Sequence, residues 1–425
     1  MAVLPSLPQE LLDLIIDATY TSNGTTPLET LSRVSRSWRP RSQHHIFKKL
    51  RLDYVAMRRI HSEFETSETT ENTTSSQQQP TVFSHVRKLR ISARQITSPE
   101  NEPEGHPLEI LRFFTNVTSV RILDWDFREF ETHHIARFLG HFGSTARTLK
   151  IRECYVDSEV LIFLTSLFPL VENLEVDPRY PCSSGSYRIQ KSDRPLQHSG
   201  FRGTLVFRFL SAQHEEFLAF VTENSSDVRS ISAELCVNKG GLQKLFEFRG
   251  GNLSSVGVHS LCKQGKVVPA KTHHTSTIIL TRRFPDFVFL TSCTQLQTLS
   301  IHLLGDFRED DPNWDALFTV TSPHLEEIKI RSFDGVVTSG QSLVGWEGID
   351  DLLCRHHDRS HQNGVGNFRV SLHPTDIYLE EEYGRLLGCV QEVWPRFVKK
   401  GTVVLSLEPY DGESSHHGSC PRVVW

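Results

Sequence analysis

Histidine, which can act in catalysis or bind a metal ion, is plentiful in this chain. The 425-residue sequence has 21 histidines, including adjacent pairs at 44–45, 133–134, 273–274, 356–357 and 416–417. His357 and His361 are four residues apart, the spacing with which one helix face presents two zinc ligands. However, no glutamate follows the first of them as in an HExxH motif, and the next residues, NGVG, predict that the helix ends there. We therefore predict no metal site and no cofactor.

Other motifs for catalysis are also missing from the sequence. It has no G-x-S-x-G elbow, no P-loop and no kinase signature. Its cysteines form no CxxC pair, and scattered single cysteines are typical of reduced thiols in an intracellular protein; they are Cys154, Cys182, Cys236, Cys262, Cys293, Cys354, Cys389 and Cys420. The sequence therefore predicts a protein that is not an enzyme. A metal-dependent hydrolase in residues 345–425 stays open as an alternative.

Charge is distributed unevenly along the chain. The formal net charge is -5, but residues 1–60 have nine Lys/Arg against five Asp/Glu, a net +4, which leaves -9 for the rest. Such asymmetry indicates a first unit with its own partner. The mild total gives no reason to expect a nucleic acid. No signal peptide opens the chain and no run of about 18 apolar residues occurs, so we expect a protein of the cytoplasm or nucleus without a membrane partner.

A repeated apolar–x–apolar pattern extends from about residue 84 onward. The steps between the central apolar residues range from 21 to 31, which brackets the leucine-rich-repeat period of roughly 20–29. These central residues are Leu89, Val120, Leu149, Leu174, Leu205, Ile231, Val256, Ile278, Leu299 and Ile328. Two further strands are predicted at 368–372 and 403–407. Between many of these strands lie segments whose apolar residues have helical spacing.

Alternating strands and helices predict an α/β fold, in which short parallel strands stack as an irregular leucine-rich-repeat-like solenoid. A doubly wound α/β domain is the alternative, although no strand is followed by its usual G-x-G-x-x-G turn. The predicted domains are a helical docking unit at 1–60, a polar linker or loop at 61–82, and the repeat domain at 83–425. Residues 66–80, TSETTENTTSSQQQP, offer no apolar side chain to bury.

The first predicted helix, about Pro8 to Thr19, has an unusually wide apolar surface. Its polar residues form one narrow stripe, whereas an ordinary surface helix has only one apolar stripe. Such a helix needs cover on two sides, one from the helices that follow and one from the repeat domain or a separate protein. A second helix should stop near Pro40, and a third, about Arg41 to Leu50, completes a small core.

The segments LPQELLDLIID and LSRVSRSWRPRSQHHIFKKLRL resemble the F-box motif, in the basidiomycete-type variant common in mushroom-forming fungi. The resemblance covers about residues 5–52. The residues that match are Leu7 and Pro8 in the Leu-Pro opening, Glu10, Leu11 and Ile15 in the first helix, and Leu31, Val34, Ser35 and Trp38 in the later helix. One departure is the turn TYTSNGTTP at 19–27, which is more polar than the family's usual leucine-rich link.

The resemblance implies a non-catalytic adaptor in a Skp1–cullin–F-box ubiquitin ligase. Residues 5–52 would bind a Skp1-like protein, and the repeat domain would bind a protein substrate. The docking residues that it implies are Leu7, Pro8, Leu11, Ile15, Val34 and Trp38. Any of these could instead fill the core of the helical unit. The alternative function is a Skp1-associated binding scaffold without ubiquitin transfer. The seven basic residues between Arg33 and Arg51 could face an acidic partner or only solvent.

Overall fold

A computed structural model divides the chain into two compact units, Met1–Gly200 and Phe201–Trp425. The residues that it describes are 8–23, 25–34, 36–70, 81–92, 106–179, 200–208, 210, 214–225, 227–234, 243–247, 250–259, 287–302, 319–331, 347–366, 368–373, 388–405 and 423–424.

Helices open the first unit: α1 (Gln9–Asn23), α2 (Thr26–Val34), α3 (Arg39–Phe47) and α4 (Tyr54–Thr70). Pro40 lies in the first turn of α3, where the missing N–H costs no hydrogen bond. The predicted break near Pro40 is therefore the start of the third helix.

Five parallel strands follow chain order in the first unit. They are β1 (Lys49–Leu52), β2 (Lys88–Ser92), β3 (Ser119–Leu123), β4 (Thr148–Cys154) and β5 (Asn173–Pro178). Between them lie α5 (Thr132–Leu139), α6 (Ser158–Leu167) and the 3-10 helices Thr81–His85, Pro107–Phe113, Phe127–Glu129 and Gly140–Ser144. Each strand thus returns in the same direction after a short helical connection.

Strands of the second unit also follow chain order and are parallel, except for the last pair, which is antiparallel. They are β6 (Thr204–Phe207), β7 (Ser230–Glu234), β8 (Ser255–His259), β9 (Thr298–His302), β10 (Glu327–Arg331), β11 (Arg369–His373), β12 (Thr402–Leu405) and β13 (Val423–Val424). The helical elements are α7 (Glu215–Glu223), α8 (Glu347–Gln362), α9 (Pro395–Lys400) and the 3-10 helices Gly250–Asn252 and Phe287–Ser292.

The central apolar residues of the repeats pair with one another across the strands. In the first unit Leu89, Val120, Leu149 and Leu174 form one row, and all four are buried. In the second unit the row is Leu205, Ile231, Val256, Leu299, Ile328, Val370 and Val403. Ile91, Ile122, Ile151 and Val176, two positions later on each strand, form a second buried row on the same face, which explains why the sequence repeats an apolar–x–apolar core.

Strand order decides between the two α/β arrangements that the sequence leaves open. A doubly wound sheet reverses its strand order at a switch point. Within each unit the strands follow the chain without a reversal. The predicted α/β class with short parallel strands and intervening helices is therefore confirmed, and the strands described in each unit show no switch point of a doubly wound sheet.

Some local predictions differ from the structure. Residues 49 and 50 were assigned to the third helix, but they begin β1, because their backbone pairs with β2 in register Lys49 with Lys88. The predicted boundary at residue 60 lies within α4, which buries Met57 and begins where the Asp53 side chain accepts a hydrogen bond from the Ala56 N–H at 2.8 Å. The predicted linker at 61–82 therefore starts inside a helix.

Two other predictions concern residues outside those described. The predicted strand at 275–280, with Ile278 at its centre, is outside the described residues, and β8 pairs directly with β9. Residues 71–80 of the predicted linker are likewise outside them.

Candidate partner-binding site on the first helix

Helix α1 is held in place by both its apolar and its polar residues. Leu12 and Ile16 are buried, as is Leu28 of α2. The Asp17 carboxylate accepts two hydrogen bonds from the Arg41 guanidinium at 2.7 Å, and His45 Nε2 lies 2.7 Å from its Oδ1. These bonds join α1 to α3, so part of the polar stripe of α1 is directed at a neighbouring helix.

Electrostatics favour this joint between α1 and α3. The bonds from Arg41, and then that from His45, hold the pKa of the Asp17 carboxyl well below its usual range, although partial burial opposes them. The ring of Tyr20 stacks on that of His45, with centroids 4.5 Å apart. Gln9 adds a bond from its side-chain amide to the Ser37 carbonyl at 3.2 Å. The orientation of α1 is therefore fixed from two positions along its length.

The opposite side of α1 exposes large apolar side chains. Leu11 is 46% exposed, Leu14 62% and Ile15 43%, and Ala18 on the same side is also exposed. The four residues have the i, i+3, i+4, i+7 spacing of one helix face, and they are called the α1 apolar face here. Among the described residues the other large exposed apolar side chain is Val55, at 67%. Exposed apolar groups are thus concentrated on α1.

Two of the predicted docking residues belong to this face, and the others lie elsewhere in the chain. Leu11 and Ile15 belong to it, and Pro8 is exposed just before the helix, where its carbonyl accepts the Leu11 N–H at 3.1 Å. Trp38 is half-buried before the start of α3. Val34 ends α2. Leu7 lies outside the described residues.

Leu14 and Ala18 are the residues of the α1 apolar face that the resemblance did not point to. Leu14 is more exposed than Leu11 and Ile15, and its spacing of three from Leu11 was the signal available in the sequence. The resemblance selected positions matching the motif, whereas exposure depends on which side of α1 meets α2 and α3.

One cluster of potential metal ligands lies near the start of α5. Glu131, His133 and His134 bring ligand atoms within 4.8 Å of one another at the start of α5, in the part of the chain that the structure describes. His133 Nδ1 is 3.1 Å from a Glu131 carboxylate oxygen, so a direct contact between the two side chains accounts for that distance. His357 and His361 lie on α8 with ring centroids 6.3 Å apart. As predicted, α8 ends at the glycine-rich segment, with Gly364 at φ +80°.

Cysteine chemistry is suppressed by burial. Cys154, Cys293 and Cys354 are buried, Cys389 is half-buried, and these described cysteines are free thiols. Burial raises the pKa of the Cys154 and Cys293 thiols to about 12. Neither thiol would form the nucleophilic thiolate near neutral pH. None of the described helices has both the length and the apolar character needed to cross a membrane.

No model of a known protein family matches the sequence, and no curated protein sequence matches it either.

Proposed function

We propose that this chain is a substrate-recognition adaptor of a Skp1–cullin–F-box ubiquitin ligase, acting in the cytoplasm or nucleus. In this proposal α1 to α3 form a three-helix F-box that binds a Skp1-like protein. The strands from β2 onward belong to a leucine-rich-repeat-like array that holds a protein substrate. The chain would join two proteins and make or break no covalent bond itself.

The observation that carries the proposal is the α1 apolar face. Single exposed leucines are common on protein surfaces, but a clustered apolar patch is typical of a partner-binding site. On α1 the cluster lies opposite the buried Leu12 and Ile16, while Asp17 bonds to α3. An amphipathic helix that presents such a face fits a groove on another protein.

The sequence resemblance supports the same partner. It implies docking by Leu11 and Ile15, and both side chains are exposed on the α1 apolar face. The described strands support the repeat part, because parallel strands in chain order with one buried residue in register per strand fit a leucine-rich-repeat-like array. These two lines of support are independent, since one rests on residues 5–52 and the other on the strands.

Co-purification tests the proposal. The intact chain should capture a Skp1-like protein, and a double variant, Leu11→Glu with Ile15→Glu, should weaken this capture by at least about 30-fold, because the loss of even one hot-spot anchor costs about 2 kcal/mol. Both side chains are about half exposed, so the variant should unfold at the same urea concentration as the wild type. If the double variant captures the partner as well as the wild type, or if the wild type captures none, the proposal is wrong.

Recruitment of a cullin separates the ligase adaptor from a scaffold without ubiquitin transfer. The complex of the chain with a Skp1-like protein should bind a cullin in the same experiment. Binding of the Skp1-like protein without a cullin would favour the scaffold and overturn the ligase assignment, while leaving the docking site intact.

A further inference from the structure

The turn between α2 and α3 presents three arginines to solvent. Arg33 lies in the last turn of α2, Arg36 lies between the two helices, and Arg39 is the first residue of α3. All three side chains are exposed, and together they are called the basic turn here. Part of the +4 net charge of residues 1–60 is therefore concentrated at one exposed turn.

The basic turn lacks the carboxylate partner that the nearby Arg41 has. Arg41 donates two hydrogen bonds of 2.7 Å to Asp17 and thereby joins α3 to α1. Within the described residues, the Arg33 and Arg36 side chains make no hydrogen bond or ion pair, and Arg39 Nε donates one bond to a backbone carbonyl, at 3.5 Å. The fold gains no ion pair from these three charges, which leaves them available to a partner.

A hydrogen bond places the basic turn beside the first turn of α1. Gln9 Nε2 donates to the Ser37 carbonyl at 3.2 Å, and Ser37 lies between Arg36 and Arg39 in the sequence. Leu11 of the α1 apolar face follows Gln9 by two positions, which is about 3 Å along a helix that is about 10 Å across with its side chains. The turn and the apolar face are thus on the order of 10 Å apart, about one Debye length at 0.1 M salt. Charges on the turn therefore act on a protein that covers the face.

Two predicted docking residues border the basic turn. Pro8 is exposed immediately before Gln9, and Trp38 is half-buried between Arg36 and Arg39 in the sequence. The resemblance to the F-box implies that both contact the partner. A partner bound in this way would extend from the α1 apolar face to the basic turn.

We propose that the protein that covers the α1 apolar face has an acidic surface that meets the basic turn. This inference rests on the proposed function and adds the charge of the partner's surface. Exposed charges at the rim of an interface change mainly the association rate and its salt dependence. Loss of apolar anchors such as Leu11 acts mainly on dissociation. The arginines therefore steer the partner toward the site, and the apolar face retains it.

A nucleic acid fits the basic turn less well than an acidic protein does. The chain has a net charge of -5 and lacks the strong overall positive charge of proteins that bind polynucleotides. The surface beside the turn is apolar, with Leu11, Leu14 and Ile15 exposed. An apolar centre with a charged rim is typical of a protein interface.

Stopped-flow kinetics of the full chain with a purified Skp1-like protein test the proposal. The variant Arg36→Gln with Arg39→Gln should lower the association rate constant at least about threefold at about 0.05 M salt and less than about 1.5-fold at about 0.5 M salt, because salt screens exposed charges. Its dissociation rate constant should stay within about twofold of the wild-type value. A matched control, Lys49→Gln with Arg58→Gln, removes the same charge from exposed positions on β1 and α4 and should associate like the wild type.

Equal association rates of the wild type and the Arg36→Gln, Arg39→Gln variant at low salt, or an equal loss in the control, would overturn the proposal and leave docking by the α1 apolar face intact. A short single-stranded DNA that binds the basic turn more tightly than the Skp1-like protein does would also overturn it. Absence of binding by the wild type would overturn the proposed function itself, so the two failures are distinguishable. If the double variant unfolds at a lower urea concentration than the wild type, Arg36→Gln alone repeats the measurement.

Discussion

The two units build their sheets from the same inward pattern but present different outward rows. The inward row is apolar and buried in both, as with Leu149 in the first unit and Leu299 in the second. The outward row, on the opposite face of the strands, is mostly small and neutral in the second unit. In the first unit it is basic and consists of Arg51, Arg90, Arg121 and Lys150. Core packing therefore constrains one set of positions, while the alternate set is free to carry different charges.

The largest expected effect concerns what the two units share. Leu149→Ala and Leu299→Ala should each lower the free energy of unfolding by about 2–5 kcal/mol, because each removes buried methyl groups and leaves a cavity. Thr148→Ala, an outward neighbour of Leu149, should change it by less than about 0.5 kcal/mol. Urea denaturation measures all three. A cost below about 1 kcal/mol at either leucine would break the equivalence of the inward rows.

The next largest expected effect concerns one buried glutamate in each unit. Glu327 accepts hydrogen bonds from Ser371 at 2.5 Å and from Arg369 at 3.0 Å, so Glu327→Gln should cost about 1–3 kcal/mol of stability. Glu175→Gln should cost a similar amount in the first unit, because the Glu175 carboxylate accepts a hydrogen bond from Arg152 Nε at 2.5 Å and lies 2.9 Å from Lys150 Nζ. Urea denaturation measures both variants, and a cost below about 0.5 kcal/mol in either would contradict the stabilising role assigned to that carboxylate.

Lowering the pH should destabilise the second unit through protonation of Glu327. Burial raises the pKa of this carboxyl, but bonds from Ser371 and Arg369 outweigh it and lower the pKa overall. A group with a lowered folded pKa contributes stability above its unfolded pKa of about 4.3 and loses it as pH falls through the folded value. The wild type should therefore lose more stability below about pH 4.3 than Glu327→Gln, while Glu326→Gln at an exposed neighbour should follow the wild type.

The smallest expected effect compares two cations at corresponding register positions. Arg51→Gln should leave stability unchanged or raise it by about 0.3 kcal/mol, because it removes repulsion on Arg90. Lys329→Gln should lower stability by up to about 0.5 kcal/mol, because it removes an attraction to Glu327. Urea titrations measure both variants. Changes in unfolding free energy of opposite sign would support the distinction between the outward rows of the two units, and changes of the same sign would contradict it.

The sequence predicted the inward rows well because burial imposes a local pattern. Every central residue of the predicted repeats that the structure describes falls into register with its neighbours. Strand β1 was missed because its alternating segment KLRL is only four residues long, and Leu50 also fits helical spacing with Ile46 and Phe47 of the preceding helix. Pairing with β2, which starts 39 residues later, makes it a strand.

Both the α1 apolar face and the outward basic row of the first unit depend on non-local contacts. The direction of the α1 apolar face follows from the bond between Asp17 and Arg41, which are 24 residues apart in the chain. The basic row is visible only once the register aligns Arg51, Arg90 and Arg121. The residue types at these positions could be read from the sequence, but the surfaces they form could not.

The most direct test of the docking proposal compares two exposed apolar residues on different helices. Leu14 on α1 and Val55 on α4 are 62% and 67% exposed, so glutamate at either position disturbs the fold about equally. Isothermal titration calorimetry of the purified full chain with a Skp1-like protein should show that Leu14→Glu weakens the Kd at least tenfold and that Val55→Glu leaves it unchanged. Equal affinities for the two variants, or no binding by the wild type, would contradict the account.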